Sequence, residues 1–594
     1  MVNRRFAVRA KLSLAFAALC ALALPAAAQA PGAGIPGADE LGLPPPPTEY
    51  PAEKPVGTSA GPATQDVLLK GPANPAQWLH YGGDYRNFRN SPVKSITPAN
   101  ARGLRVAWSA PTGTLGQFST SPVVYGGVMY FTTSYNRLMA VDAKTGKFLW
   151  RYDVKLQPDM KICCGPANRG VAIGGDYVVM ATLDARLIAF DRTTGKVAWD
   201  TQMIPYKDGY SSTSAPLIVN SMVFIGFAGG EFGASGLIDG YDLKTGKRLW
   251  RTHTVAQPGD PNNKSWAGDS WKSGGSPSWN TGAYDAETNT LFWTTGNPSP
   301  DWNGDARAGD NLYSDSVLAL DPKTGKMKWY FQFTPHDMWD FDGNTQIFLV
   351  DTWYNGKKIK ALAQPNRNGF FYLLDRTTGK FLRATQYVEQ LDWAKGVDAK
   401  GRPIVDPSAY PTDKGSRRVC PSNMGGMNGS WTGAYDPSAN LIFVPTVEAC
   451  QSLTKGIAVY VKGIPYYGGT PTMVDSVQGK GYGTISAIDV ATGQVKWRYR
   501  DPQPMMAGAV ATAGGVMFTS TVDGEAIALN QANGERLWSF RMGGSGRGQP
   551  IVYEIDGQPY VAVPSGGWAA MGMMTGKYPM APEGGQLFVF TLDK

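Results

Sequence analysis

The sequence predicts an all-β protein, an eight-bladed β-propeller with tryptophan-docking repeats. The first observation is a phrase that recurs along the chain and combines an acidic residue or Asn, a Gly, and a Trp four positions after that Gly. The second is the spacing of the copies, because units of about 40–80 residues with several short strands each are typical of propellers. The third is a hydrophobic content of 42% with 11% aromatic residues, which suffices for a large core.

Each copy of the phrase places turn residues between two apolar stretches, which predicts a strand, a turn and a second strand. We interpret the recurring tryptophans as scaffold residues that wedge one blade against the next. The seven copies are VDAKTGKFLW (141–150), FDRTTGKVAW (190–199), YDLKTGKRLW (241–250), LDPKTGKMKW (320–329), LDRTTGKFLR (374–383), IDVATGQVKW (488–497) and LNQANGERLW (529–538).

The seven phrases and one weaker copy together indicate eight blades. The fifth copy ends in Arg383 instead of Trp, and the weaker copy, YDPSANLIF (435–443), lies in the longest gap between copies. The last strand, GQLFVFTLD (585–593), is expected to pair with strands near 104–109. That pairing would close the ring.

The first 75 residues are expected to lie outside the propeller, which would span 76–594. Residues 1–30 are typical of an export signal, because four basic residues precede an apolar stretch at 12–24 and a small-residue cleavage site follows. That stretch is too short for a membrane span. We therefore expect a protein exported to a bacterial periplasm and cleaved near Ala30. Residues 31–75 are rich in Pro, Gly and Ala, which predicts a disordered leader.

Charge and histidine content disfavour several function classes. Loss of the signal removes four positive charges and lowers the net charge from +8 to +4. These charges are scattered, so the sequence offers no basic patch for nucleic acid. The three histidines argue against a His-rich zinc site. The chain contains no Cys-x-x-Cys-His motif, so it carries no c-type haem of its own.

Cys163 and Cys164 are neighbours in the run CCGPANRG. Adjacent Cα atoms lie about 3.8 Å apart, whereas ordinary disulfides span roughly 4.4–6.8 Å. A bond between them would close a small strained ring, and strain of this kind persists where function requires it. The alternatives are that each cysteine bonds a distant partner or that the pair is accidental. Four cysteines follow the signal and allow three pairings, of which we predict Cys163–Cys164 and Cys420–Cys450.

Three loops carry oxygen-bearing side chains that suit a hard cation. Glu231 follows two glycines in GGEFG, and Asn297 lies in TTGNPSPDWN. Asp340 and Asp342 lie two residues apart in TPHDMWDFDG, so in an extended segment they would share a face. Two carboxylates on one face repel each other unless a cation lies between them. The alternatives are an ordinary turn glutamate, a turn asparagine and a solvated acidic loop.

Two tryptophans and two arginines outside the repeats are candidate ligand-binding residues. Trp279 and Trp568 follow glycine-rich runs, and flat side chains flanked by glycine are suited to stacking on a flat ligand. Arg169 and Arg367 are suited to pairing with ligand carboxylates or a quinone oxygen.

Together these motifs resemble the family of pyrroloquinoline quinone (PQQ)-dependent alcohol dehydrogenases, of the methanol and ethanol dehydrogenase type. The resemblance extends from WLHYGGDYRNFRNSP (78–92) to SGGW (565–568). It rests on the adjacent cysteines, the tryptophan phrases, GGEFG and WDFD in this order. The resemblance implies an enzyme that oxidises alcohols to aldehydes by hydride transfer to a metal-activated quinone.

The resemblance also implies a role for each candidate residue. PQQ would lie between the Cys163–Cys164 ring and Trp279, and Arg367 would hydrogen-bond the quinone oxygens. Asp340 would be the catalytic base that takes the alcohol proton. The metal ligands would be Glu231, Asn297, Asp340 and Asp342. The other cofactor-binding residues would be Arg169, Thr213, Gly229, Gly230, Ser278, Asn428 and Trp568.

Asp342 resembles the lanthanide-dependent branch of the family, whereas calcium enzymes usually carry a small uncharged residue there. A trivalent ion tolerates a further carboxylate, and every expected protein donor is oxygen. We therefore favour a lanthanide, with calcium as the alternative. Two positions depart from the family pattern. A glutamate that contacts PQQ is replaced near Ser119, and a tryptophan is replaced by Met506.

The expected partners are a small alcohol as substrate and a separate periplasmic cytochrome c as electron acceptor, since the chain has no haem of its own. A homodimer is compatible with the resemblance. Two alternatives stay open. One is a non-enzymatic envelope scaffold with similar repeats, and the other is a dehydrogenase of the family for sugars or larger alcohols.

Overall fold

The computed structural model describes residues 49–52, 60–474, 481–567 and 584–593. The predicted export signal and Trp568 therefore lie outside the described residues. The described chain is built almost entirely of short antiparallel strands, with one α-helix at Gln65–Lys70. Single turns of 3₁₀ helix lie at Gly71–Ala73, Ala101–Gly103, Ser134–Asn136, Tyr206–Asp208, Gly230–Phe232, Pro261–Ser265, Ser270–Ser273, Asp305–Arg307 and Pro407–Ala409.

The described strands form eight four-stranded sheets arranged as the blades of a propeller, which confirms the predicted fold class. The blades, numbered in chain order, are blade 1 (Val123–Tyr125, Val128–Thr132, Arg137–Asp142, Phe148–Asp153), blade 2 (Ala172–Gly174, Tyr177–Ala181, Arg186–Asp191, Val197–Gln202), blade 3 (Leu217–Val219, Met222–Gly226, Leu237–Asp242, Arg248–His253), blade 4 (Ala283–Asp285, Thr290–Thr294, Ser316–Leu320, Met327–Gln332), blade 5 (Phe348–Tyr354, Lys357–Pro365, Phe370–Asp375, Phe381–Gln386), blade 6 (Ala434–Asp436, Leu441–Glu448, Tyr482–Asp489, Val495–Asp501), blade 7 (Val510–Thr512, Val516–Ser520, Glu525–Asn530, Arg536–Arg541) and blade 8 (Ile551–Ile555, Gln558–Ser565, Gly584–Leu592, Leu104–Leu115).

Four further pairings extend this frame. Glu49–Tyr50 adds an antiparallel edge strand to blade 1, and Asn90–Ser91 adds a parallel one to blade 7. One small hairpin lies in the connection between blades 5 and 6, and another lies between the second and third strands of blade 6. They pair Ala394–Val397 with Pro403–Val405 and Cys450–Lys455 with Gly469–Val474.

Blade 8 closes the ring by combining the two ends of the propeller. Leu104–Leu115 pairs antiparallel with Gly584–Leu592, as the sequence predicts. Trp108 on the N-terminal strand then contacts blade 1. A Cβ added at Gly146 in the blade 1 repeat would lie 2.6 Å from its indole ring.

The repeat tryptophans dock one blade onto the next, in blades 1 to 3 and 6 through the repeat turn of the following blade. Trp150 of blade 1 donates its indole N–H to the Arg192 carbonyl of blade 2 at 3.2 Å. Gly195 in the same blade 2 turn has a φ of +74°, and an added Cβ would lie 2.6 Å from Trp150 Cδ2. The Gly of the phrase is therefore required twice, for its left-handed backbone and for the face of the preceding tryptophan. The same indole-to-carbonyl bond joins Trp199 to Leu243, Trp250 to Pro322, Trp497 to Gln531 and Trp538 to Leu104.

Arg383 replaces the docking tryptophan of blade 5 and forms the same kind of link. Its guanidinium donates to the carbonyls of Ala491 at 2.7 Å and Val490 at 2.8 Å, in the repeat turn of blade 6. Two charge-assisted bonds thus substitute for one indole bond and its packing.

The structure corrects two expectations. The weaker copy at 435–443 is the turn between the first two strands of blade 6, not a docking phrase of its own, and the eighth blade is formed by the chain ends. The leader at 31–75 is also ordered where it is described. Its helix buries Leu68, and Ala63 pairs with Gly175, because these few apolar and backbone groups find partners on the blades.

The structure contains both predicted disulfides, Cys163–Cys164 and Cys420–Cys450. The second bond links the long connection after blade 5 to an inserted hairpin of blade 6. No helix in the described ranges has the length and apolar character needed to cross a membrane.

Candidate active site

The predicted site residues share one end of the propeller. In an antiparallel four-stranded blade, the connection between the second and third strands and the connection to the next blade leave from the same end. We call this the loop end, and it carries all the candidate residues that the structure describes. The repeat turns lie at the opposite end. The topology therefore separates the candidate site from the docking tryptophans.

The Cys163–Cys164 ring lies against a carboxylate from another blade. The two sulfur atoms and one Glu231 carboxylate oxygen all lie within 4.8 Å of one another. Cys164 adopts a left-handed backbone with a φ of +64°. The Gln117 side-chain amide donates to the Cys164 carbonyl at 2.9 Å, which ties the ring to the segment before blade 1.

Arg169 brings two other predicted residues together. Its Nη1 donates to Thr213 Oγ1 at 2.6 Å, and its backbone N–H donates to the Thr213 carbonyl at 3.0 Å. Its Cζ lies 4.7 Å from the centroid of the Trp279 ring. The Arg169 Nε has no hydrogen-bond partner among the described residues, so this buried guanidinium keeps a free donor beside an aromatic face.

The two glycines before Glu231 are required by the backbone. Gly229 has a φ of +128°, and any side chain there would strike the Gly209 carbonyl. The Glu231 carbonyl accepts from the Tyr466 N–H at 2.6 Å, so the insertion in blade 6 holds this loop from outside.

Asp337 organises the WDFDG loop that carries the two aspartates. Its carboxylate accepts from the backbone N–H groups of Trp339 at 2.8 Å and Phe341 at 2.7 Å. Both aromatic side chains are fully buried, and their rings stack with centroids 5.7 Å apart. Asp340 and Asp342 adopt left-handed backbones, with φ values of +59° and +55°. The expectation of an extended segment was therefore wrong, although both carboxylates contact the same guanidinium.

That guanidinium belongs to Arg367 of blade 5, and it contacts two of the four predicted metal ligands. Its Nη1 lies 2.6 Å from Asp342 Oδ2 and 3.6 Å from Asp340 Oδ1. Asp342 Oδ1 accepts from the Asn297 backbone N–H at 3.0 Å, which joins blade 4 to the cluster. The Asn423 side-chain amide donates to Asp340 Oδ2 at 3.2 Å.

The carboxylates of this cluster titrate far from their ordinary range. Burial raises the pKa of Glu231 to about 7, and the nearby Asp342 adds to the rise. Burial also raises the pKa values of Asp301, Asp340 and Asp342. Neighbouring carboxylates raise the pKa values of Asp301 and Asp340 further, whereas Arg367 opposes the rise at Asp342. Arg367 contacts two of these four acidic groups, Asp340 and Asp342. Like charges at such spacing require protons or a bound cation.

The residues present fit both a metal ion and a flat acidic cofactor. The donors around Arg367 are carboxylate and amide oxygens, the ligands that hard cations prefer. Asn297 Nδ2 and Arg367 Nε are buried without hydrogen-bond partners in the described part of the chain. Unsatisfied buried polar atoms of this kind indicate a ligand site.

Comparison with known proteins identifies the family. Residues 78–390 match the family described as "Glucose/ethanol/alcohol dehydrogenase, beta-propeller domain", and residues 452–578 match one described as "Outer membrane protein assembly factor BamB". The chain is 39% identical to the quinoprotein alcohol dehydrogenase PedH of Pseudomonas putida, covering 91% of this chain and 95% of that protein.

The chain belongs to the PQQ-dependent alcohol dehydrogenase family. It is 35% identical to a lanthanide-dependent methanol dehydrogenase of Methylorubrum extorquens, over 87% of this chain and 92% of that protein. A europium-containing methanol dehydrogenase superposes with a TM-score of 0.85 at 32% identity, covering 89% of this chain and all of that one. The chain is accordingly a PQQ-dependent enzyme that oxidises alcohols and uses one metal ion.

Two predicted cofactor residues of this dehydrogenase, Ser278 and Asn428, hydrogen-bond within the protein. The Ser278 hydroxyl donates to the Leu237 carbonyl and accepts from the Phe227 N–H at 3.0 Å, so its donor is used by the blade 3 backbone. Asn428 is buried, and its Oδ1 accepts from the Ser430 N–H at 2.9 Å. Trp568 lies outside the described residues.

The sequence reasoning missed three residues of this dehydrogenase at the loop end. Asp301 is 2% exposed, and its Oδ1 has no hydrogen-bond partner within the described ranges. It follows Asn297 in TTGNPSPDWN, so its acidity next to a proposed ligand was a usable signal. Asn423 and Arg547 carried no such signal, because both follow ordinary polar or glycine-rich runs.

Proposed function

We propose that this dehydrogenase works in the periplasm, binds a lanthanide ion with PQQ, and passes its electrons to a cytochrome c. The observation that carries the proposal is the pair of carboxylates, Asp340 and Asp342, that meet at Arg367. The Asn297 backbone N–H also bonds Asp342, and the same end of the propeller holds the Cys163–Cys164 ring.

The proposed roles follow from the contacts of each side chain. PQQ, when bound, supplies a two-electron acceptor, and the metal ion supplies a Lewis acid. Asp340 accepts the proton of the alcohol hydroxyl, a step for which a positioned base contributes about 10²–10⁴-fold. The Asn423 amide bonds one of its oxygens, and the Arg367 guanidinium lies 3.6 Å from the other. The adjacent cysteines and Trp279 provide the two faces between which a flat ring fits.

Charge supports a trivalent ion over calcium. The carboxylates of Glu231, Asp301, Asp340 and Asp342 interact electrostatically, so the cluster carries an excess of negative charge when these groups are ionised. Arg367 contacts two of them, Asp340 and Asp342. Asp342 is a fully enclosed member of that set, with both oxygens already oriented by Asn297 and Arg367. A lanthanide compensates this charge more completely than a divalent ion does. Two of the relatives are described as lanthanide-dependent or europium-containing methanol dehydrogenases.

The proposed partners are a substrate, an electron acceptor and a second copy of the chain. A small alcohol is the substrate, and sugars or larger alcohols are the competing substrate class. With no haem motif in the chain, a separate cytochrome c accepts the electrons. A homodimer is the remaining partner that we propose.

Reconstitution tests this function. Metal-depleted apoprotein, loaded with PQQ and either LaCl₃ or CaCl₂, is assayed with an artificial electron acceptor against a panel of primary alcohols, diols and sugars. We expect La³⁺ to restore alcohol oxidation and bound quinone to add absorption outside the protein band. Recovery with Ca²⁺ alone would overturn the lanthanide assignment. Absence of both quinone absorption and turnover would favour the scaffold alternative.

A matched pair of variants separates the metal site from the surface. Asp342→Ser removes one carboxylate from the cluster, so La³⁺-dependent activity should fall more than Ca²⁺-dependent activity. Asp413→Ser makes the same change at an exposed position of the connection between blades 5 and 6 and should change neither. Equal behaviour of the two variants would contradict the proposed role of Asp342.

A further inference from the structure

Arg547 is a buried guanidinium for which the described residues provide no counter-charge. The residue is 6% exposed, and its Nε and Nη1 have no hydrogen-bond partner among the described residues. Burial lowers its pKa to about 10, and the charged group that adds to this effect is Arg169, which has the same sign. Its Cζ lies 5.9 Å from the Trp431 ring centroid. Buried charges in folded proteins are normally paired or bind a ligand.

The backbone places Arg547 at the loop end. It lies in the connection from blade 7 to blade 8, two residues before Gln549, whose N–H donates to the Thr120 carbonyl at 2.9 Å. An added Cβ at Gly567 would lie 3.3 Å from the Arg547 Cβ. Arg547 therefore adjoins the connection between the second and third strands of blade 8.

Arg169 approaches the same place from blade 2. Its carbonyl accepts from the Ser121 N–H at 2.9 Å, so Arg169 and the Arg547 segment flank the stretch Thr120–Ser121 on its two sides. Each guanidinium keeps at least one unpartnered N–H within the described chain. Two like charges buried near each other are stabilised when an anion lies between them. The strongest such partner is a carboxylate, which matches the planar fork of arginine.

We propose that Arg547, with Arg169, binds a carboxylate of the PQQ cofactor. This inference rests on the proposed function, which places PQQ at the loop end. PQQ carries carboxylates on the edge of its ring system, and Arg169 lies over the Trp279 ring at 4.7 Å, so a carboxylate held by Arg169 would adjoin an aromatic side chain. Arg547 anchors the cofactor through charge and does not take part in the transfer of hydride or proton.

A binding measurement on apoprotein tests the assignment without relying on turnover. PQQ is titrated into wild-type protein and variants, and quenching of tryptophan fluorescence reports the dissociation constant. Arg547→Gln should weaken PQQ binding by about 10- to 100-fold, the range for a lost hydrogen bond to a charged group. Arg547→Lys should recover part of the loss, because it keeps the charge and loses the fork. The trimethyl ester of PQQ should bind wild type and Arg547→Gln equally.

Two controls separate a binding role from a packing role. Arg541→Gln makes the same substitution on the outer strand of blade 7, where the side chain is 63% exposed, and should leave PQQ affinity unchanged. The apoprotein of Arg547→Gln should melt no lower than wild type, because the change removes an uncompensated buried charge. A lower melting temperature with unchanged PQQ affinity would assign Arg547 to packing and overturn the inference.

The outcomes also distinguish this inference from the proposed function. If wild type binds PQQ and Arg547→Gln binds it as tightly, the inference is wrong and the cofactor site stands. If wild-type apoprotein does not bind PQQ in the presence of La³⁺ or Ca²⁺, the proposed cofactor site and the role of Arg547 are both wrong.

Discussion

Substitution of Gly195 by alanine tests the docking interaction that holds the propeller together. Gly195 lies in the repeat turn of blade 2 with a φ of +74°, and its added Cβ would lie 2.6 Å from Trp150 Cδ2. Trp150 is fully buried and hydrogen-bonded to the Arg192 carbonyl, so its ring has no free space to retreat into. Alanine must therefore strain its own backbone and also displace a fixed indole.

The two contributions can be separated with a second glycine. A left-handed backbone costs an alanine about 1–2 kcal/mol, and overpacking a well-filled core costs about 1–3 kcal/mol more. Gly127 has a φ of +80° in a turn of blade 1, and an added Cβ there would have no atom within 4 Å. Gly127→Ala should therefore show the backbone cost alone, whereas Gly195→Ala should show both and destabilise by about 2–5 kcal/mol.

Urea unfolding of wild type and the two variants, measured side by side by tryptophan fluorescence, provides the comparison. The difference between the variants is the informative quantity, since a chain of this size need not unfold in two states. Adding Trp150→Leu should reduce the cost of Gly195→Ala, because the ring that obstructs the Cβ is then absent. Equal midpoints for Gly195→Ala and Gly127→Ala, or no coupling to Trp150→Leu, would refute the docking account.

The remaining predictions concern the base, an unusual blade contact and a buried acid. Asp340→Asn should lower kcat by about 10²–10⁴-fold while PQQ binding, measured by absorption, persists; an unchanged kcat would exclude Asp340 as the base. Arg383→Ala removes the bonds to Ala491 and Val490 and should lower the free energy of unfolding, measured in urea, by about 1–3 kcal/mol. Arg383→Trp introduces the docking residue of the other blades and should restore part of that loss. An alanine variant as stable as wild type would contradict this link. Burial raises the pKa of Glu448 from 4.5 to about 7, so the native state holds a proton that the unfolded chain loses, and stability should fall by about 3 kcal/mol as pH rises from 4.5 to 7. Glu448→Gln should flatten that fall in melting temperature, and an identical pH profile would show that Glu448 does not titrate in this window.

Much of the propeller is predictable from the sequence because each docking turn needs particular residue types at fixed positions. A Gly with a left-handed backbone and a Trp four residues later are needed in each docking turn, so the phrase is visible in the sequence. The eighth blade left no such phrase, since its outer strand comes from the N-terminal side of the ring and carries Trp108 without a turn. The weaker copy at 435–443 was mistaken for the missing one because strand–turn–strand patterns look alike at both positions of a blade.

The candidate site is predictable where a residue type is unusual for its surroundings. The adjacent cysteines and the paired aspartates of WDFDG are of this kind, and the structure gathers the aspartates at Arg367. Contacts that depend on the ring arrangement are not visible in the chain. Arg547 lies nearly 380 residues from Arg169, and only the closing of the propeller brings their segments to the same stretch before blade 1.

The residues that dock the blades and the residues of the candidate site lie at opposite ends of the propeller, and this separation follows from the direction of the strands. Because each blade is antiparallel, the repeat turns that dock the blades lie opposite the connections that carry Asp340, Arg367 and the Cys163–Cys164 ring. Asp337 shows how the loop end is still rigid without repeats. It fixes two backbone N–H groups while Trp339 and Phe341 fill the core. Asp340, which lies between these two aromatic residues, and Asp342, which follows them, both contact Arg367. A substitution at the turn end should therefore change unfolding without changing PQQ affinity, and a substitution such as Arg547→Gln should do the reverse.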